Sequence, residues 1–114
     1  MKLSEIRDLL HCATLSGEES LNLEVETAVA SDAMSEVLAR PHPGALLITG
    51  LTNIQSVRTA LVADIPAILY VRGKRPNDKT IELAREKKII LLATQEGMFD
   101  ACGLLRDRGL KGGM

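Results

Sequence analysis

Aromatic side chains are nearly missing from this chain: its 114 residues include one Phe, one Tyr and no Trp. A core must therefore be filled by Leu, Ile, Val, Ala and Met, and aliphatic packing of that kind suits parallel strands covered by helices. The same scarcity leaves base stacking poorly supplied. Charge of one sign is missing too. There are 14 basic and 15 acidic residues, for a formal net charge of -1. The densest basic groups are Arg72, Lys74, Arg75 and Lys79, then Arg85, Lys87 and Lys88. They form no stripe able to neutralise a run of phosphates, so no nucleic acid partner is expected. No apolar run is long enough to span a bilayer. The start, Met1 to Glu5, lacks the apolar centre of a secretory signal. No membrane association is expected, and the location expected is cytoplasmic. Cysteine is limited to Cys12 and Cys102, far apart in sequence. They read as a buried reduced pair. With His11 and His42 they make no zinc spacing, so neither a metal nor a cofactor is expected.

What is present is a regular alternation of short aliphatic runs with helical patterns. The length fits one domain over residues 1–114. Ser4 is placed to cap a first helix, with Glu5 in its first turn and Ile6, Leu9 and Leu10 as its apolar face. His11 to Asn22 reads as a weak strand followed by a turn. Leu23 to Ala30 begins as an alternating run with one buried face. Ser31 or Asp32 then caps a helix through Met34, Val37 and Leu38, which Pro41 to Gly44 breaks. Three continuous apolar strands follow: Ala45 to Thr49, Ala67 to Val71, and Ile89 to Ala93. Between the first two, Thr52 and Gln55 stand at capping-box spacing before Ile54, Val57, Leu61 and Ile65. Pro76, Asn77 and Asp78 open the next helix. Thr94 is the expected cap of a last helix carrying Met98, Phe99, Cys102 and Leu105, and the tail over 109–114 is expected to be flexible.

Crossovers of this length join parallel strands. The expected fold class is α/β: a three-layer α/β/α arrangement with an open, mainly parallel sheet. In such sheets sites form in the loops at the carboxyl ends of strands. Those loops hold Ser31 and Asp32, Gly50 to Asn53, Arg72 to Pro76, and Thr94 to Gly97. None carries a phosphate-loop, dinucleotide or nucleophile-elbow motif, and both histidines are expected to lie away from them. An anion remains a candidate ligand. Thr52, Asn53 and Thr94 stand where helix N-termini present free N–H groups, and Arg72, Lys74 and Arg75 would supply positive charge. The plain alternative is that Thr52 and Thr94 are caps and the basic loop is solvated. Asp32 reads first as a cap and otherwise as a group facing the shared strand-end cleft.

The stretch Gly44 to Gly50 through Asn53-Ile54-Gln55 is followed by Ile65-Pro66-Ala67-Ile68-Leu69-Tyr70-Val71-Arg72-Gly73. With Pro76 to Ala84, Lys88 to Thr94 and Phe99, it resembles a DRTGG domain over roughly residues 23–106. Leu51-Thr52 stands where that family has Asp-Arg, and Val71-Arg72-Gly73 stands for its Thr-Gly-Gly. The latter triplet is similar to the N-terminal domain of HPr kinase/phosphorylase. The resemblance implies an accessory module without catalysis of its own. It would be regulatory or assembly-forming and often homodimeric, here standing alone with a separate protein partner.

Three functions are therefore carried forward. The first is a self-associating regulatory module, with the alternating face of Leu23 to Val29 as its two-fold interface. The second is a sensor for a nucleotide or phosphorylated metabolite, binding through Asp32, Gly50, Thr52, Asn53, Arg72, Gly73, Arg75 and Thr94. The third is a small enzyme using Asp32, Arg72, Thr94 and Glu96; it lacks the standard acid–base and nucleophile pairs.

Overall fold

Side-chain alternation within the aliphatic runs decides the layers. The computed structural model describes all 114 residues. Its three central strands, β3 (Leu46–Thr49), β4 (Ala67–Tyr70) and β5 (Ile90–Ala93), are buried at every position. Two strands flank them, β1 (Ala13–Ser16) and β2 (Thr27–Ala30), and a two-residue β6 (Lys111–Gly112) completes the sheet. Leu47, Ile68, Tyr70 and Leu91 point to one face. There they meet Val37, Val57, Ala60 and Ala84 of α2 (Met34–Val37), α3 (Ile54–Val62) and α4 (Asp78–Lys87). Leu46, Ile48, Leu69 and Leu92 point to the other face. They meet Leu3, Ile6 and Leu10 of α1 (Leu3–Leu10) and Ala101 and Leu105 of α5 (Met98–Asp107). Each fully buried Leu or Ile contributes about 1.5–3 kcal/mol of transfer free energy. The architecture is three-layer α/β/α.

The strand order is β1-β5-β4-β3-β2-β6. From β2 to β5 the chain steps one strand at a time in one direction, all parallel. A constant crossover hand then puts α2, α3 and α4 on the same face. After β5 the chain reverses, and α5 carries it over the opposite face to β6, beside β2. The loops after β4 and β5 therefore leave towards opposite faces, and the fold's switch point lies between them. β1 runs antiparallel to β5, with Ala13 opposite Ala93. That reversal brings the start of β1 to the rim where the parallel strands end.

Several local expectations fail for non-local reasons. Lys2, not Ser4, caps α1. The N–H groups of Leu3 and Ser4 already donate to the carbonyls of Leu23 and Leu21, and Glu5 accepts from the Lys2 N–H at 3.0 Å. The same contacts use up the backbone at 21–25, so the alternating run yields a strand only from Thr27. Val25 and Val29 are buried and Leu23 alone is an exposed large apolar residue there, so no continuous apolar face is left for a two-fold interface. Two residues of the segment expected to be flexible form β6, where Lys111 donates to Glu26 O and Gly113 to Ala28 O. Both cysteines are free thiols and half-buried.

Candidate functional site

The loops after β2, β3 and β4 meet around one carboxylate. Asp32 does not cap α2, whose N-cap is Ala33. Its Oδ1 instead accepts from the Thr49 hydroxyl at 2.9 Å and from the Gly50 N–H at 2.7 Å. Its Oδ2 accepts from Arg72 Nη2 at 3.2 Å. Thr49 Oγ1 in turn accepts from the Leu51 N–H. Thr49 and Gly50 are buried, whereas the side chains of Asp32 and Arg72 are 50% and 41% exposed. The Gly50 N–H, followed by the Thr49 hydroxyl and the Arg72 guanidinium, holds the Asp32 carboxyl below the usual carboxylate range, while partial burial pulls the other way. The guanidinium lies so close over Gly50 that a Cβ there would collide with it. Arg72 itself has φ 64, a left-handed conformation that costs a side-chain-bearing residue roughly 1–2 kcal/mol.

The other strand-end residues divide by role. Asn53, one position after the expected Thr52, caps α3 by accepting from the Gln55 N–H. Thr52 makes no capping bond there, and the capping-box reading fails by one residue. Thr94 caps nothing, because α5 starts at Met98 after Gly97. Its buried hydroxyl donates to the Leu10 carbonyl at 2.7 Å and accepts from the Glu96 N–H, tying the β5 loop to α1. The loops after β4 and β5 are also hydrogen-bonded to each other, Arg72 N–H to Glu96 O and Gly73 N–H to Thr94 O.

Beyond that seam, towards β1, lies a recess of about 70 Å³ lined by His11, Gly73, Arg75, Thr94 and Gln95 over Ala13 and Ala93. His11, expected away from the rim, is brought there by the antiparallel β1. The rim thus holds two separate groups: Asp32, Gly50 and Arg72 with Thr49, and Gly73, Arg75 and Thr94 with His11 and Gln95. Thr49 was overlooked as a site residue although it is the one polar position of an aliphatic strand. Larger hollows lie elsewhere. One of about 500 Å³ sits at the opposite end of the sheet, where Glu18 and Glu19 face Arg85 and Lys88. An apolar groove of about 300 Å³ runs between α5 and the β2–β6 edge. Phe99, expected among the residues of the last helix, points outward and is 89% exposed.

The DRTGG domain model matches residues 5–107. The chain belongs to the DRTGG domain family. Its structure is similar to that of the CBS and DRTGG domains of the regulatory region of Clostridium perfringens pyrophosphatase, solved with the activator diadenosine tetraphosphate. The TM-score is 0.76 at 21% sequence identity, over 91% of this chain and 45% of the other. The DRTGG domain described here thus spans under half the length of that structure. No curated protein matches the chain. The two rim segments that carried the family resemblance, Leu51-Thr52 and Val71-Arg72-Gly73, are neighbours at the rim, with the Val71 N–H donating to Thr49 O. The left-handed backbone of Arg72 is one that glycine adopts without strain. No helix is long and apolar enough to cross a membrane.

Proposed function

We propose that residues 1–114 form a single non-catalytic regulatory or assembly module that self-associates. Family membership and the likeness to a pyrophosphatase regulatory region support the regulatory part. The rim supports it too, since its polar side chains hold loops together: Asp32 with Thr49, Gly50 and Arg72, and Thr94 with Leu10. The observation that carries self-association is the apolar groove between α5 and the β2–β6 edge. Three helices cover one face of the sheet and two the other, and at the β2–β6 edge exposed Ala30 and Met114 and half-buried Ala28 and Cys102 lie over buried Ile48 and Leu105. A second copy of the chain seated there would cover the exposed Ala30 and Met114.

Size-exclusion chromatography with light scattering tests this. A dimer at tens of micromolar is expected, reduced to monomer by Ala30→Glu, an exposed groove position. A strict monomer at that concentration overturns self-association and leaves the groove to a separate protein partner.

A second reading, a sensor of a nucleotide or other phosphorylated small molecule, is favoured by the activator complex of the similar pyrophosphatase region. In a thermal-shift screen, a ligand at a hundred times its Kd stabilises by about 2.7 kcal/mol.

A further inference from the structure

We propose that the recess between β1 and the loops after β4 and β5 is an oxyanion site that takes one phosphoryl group. This deepens the sensor reading and rests on it.

The lining is the first argument. His11, Gly73, Arg75, Thr94 and Gln95 surround the recess, and no carboxylate is among its lining residues. Arg75 is free of the ion pairing that occupies its neighbour: Arg72 is held by Asp32, and the only other salt bridge joins Arg7 to Asp8. An imidazole carries at least one N–H donor and a primary amide two, so His11 and Gln95 add donors beside the guanidinium. A guanidinium presents a planar fork of donors suited to phosphoryl oxygens.

Size is the second. Small-molecule pockets run to roughly 300–1,000 Å³, and one water occupies about 30 Å³ in the liquid. A space of about 70 Å³ therefore suits a single oxyanion group and leaves the rest of any ligand outside. Gly73 sets part of this boundary: at φ 70 it turns the β4 loop back, and a side chain there would strike Gln95.

Topology is the third. The lining comes from three separate stretches of chain at the carboxyl rim of the sheet, beside the switch point, and open α/β sheets place ligands at that rim. The fold assembles it by running β1 antiparallel to β5.

The test uses the protein in phosphate-free buffer, with inorganic phosphate, adenosine monophosphate and adenosine as probes. Thermal shift and calorimetry are read for the wild type, for His11→Gln/Arg75→Gln, and for Arg58→Gln, a charge control on α3. His11, Arg75 and Arg58 are all exposed, and equal unliganded melting temperatures establish that the variants fold. Phosphate or the nucleotide is expected to stabilise the wild type and the control, adenosine neither. The double variant should bind at least about tenfold more weakly, or 1.4 kcal/mol. Equal effects of phosphate and the nucleotide identify a free-ion site, and a stronger nucleotide effect identifies a monoester. Undiminished binding by the double variant overturns the recess but leaves the sensor reading standing. No response of the wild type to either phosphorylated probe overturns both.

Discussion

Removing the Asp32 carboxylate should cost this protein about 2 kcal/mol, and removing its visible ion-pair partner much less. Asp32 accepts from two buried donors, the Thr49 hydroxyl at 2.9 Å and the Gly50 N–H at 2.7 Å. A hydrogen bond to a charged group contributes about 1.5–3 kcal/mol when well shielded. Asp32 is half exposed, and water can replace part of what is lost, so the pair together is worth about 2 kcal/mol rather than twice that. At roughly 4 °C per kcal/mol for a domain of this size, Asp32→Ala should lower Tm by about 8 °C. Asp32→Asn keeps an acceptor oxygen and should fall between it and the wild type. Arg72→Ala breaks an exposed pair worth about 0–1 kcal/mol and keeps a side chain at φ 64. Arg72→Gly relieves that strain and should be the more stable of the two by about 1 kcal/mol.

The pH dependence has a definite sign. The folded Asp32 carboxyl titrates below its ordinary value, so its contribution is present above about pH 3.9, the unfolded value. It is lost as the pH falls through the lower, folded value. The gap between wild type and Asp32→Asn in urea denaturation should therefore close in acid. The reasoning is refuted if Arg72→Ala costs as much as Asp32→Ala, or if Asp32→Ala leaves Tm unchanged.

Two further outcomes are expected. The Thr59 hydroxyl is buried on α3 without a hydrogen-bond partner, so Thr59→Val, of the same shape, should raise the urea midpoint by the equivalent of about 1 kcal/mol; a lower midpoint contradicts this. Burial pushes the Cys12 thiol up to about 12 from 9.0, against an opposing pull from Arg7. Burial also pushes the Tyr70 phenol up to about 12 from 10.0, against the Ser56 hydrogen bond. Their stabilisation is present below the unfolded values and is lost as the pH rises from about 9 through about 12. Cys12→Ala/Tyr70→Phe should show a shallower alkaline decline, and an identical decline would refute the assignment.

Much of the scaffold was written in local pattern. Ala45 to Thr49, Ala67 to Val71 and Ile89 to Ala93 are apolar on both alternations, which only strands covered on both faces require. The β4–α4 junction was equally plain, since Asn77 Oδ1 accepts from the Thr80 N–H where Pro76-Asn77-Asp78 predicts a helix start. The Leu23 to Ala30 run was legible only in part, because its first half serves α1 and not the sheet. Of the candidate site, Arg72, Gly73, Arg75 and Thr94 were identifiable as strand-end residues, but not which of them lie together.

Composition and periodicity by themselves determined an aliphatic, mainly parallel α/β sheet and the loops at its carboxyl rim. Tertiary structure alone decided that Asp32 turns away from α2 to Thr49, Gly50 and Arg72, and that Thr94 ties down α1. It alone decided that His11 reaches the rim. The reason is range. A helix or strand period is set by neighbours three or four residues apart. The direction of β1, and the carbonyls at Leu21 and Leu23 that displace Ser4 as a cap, are set by segments that meet only when the whole sheet closes.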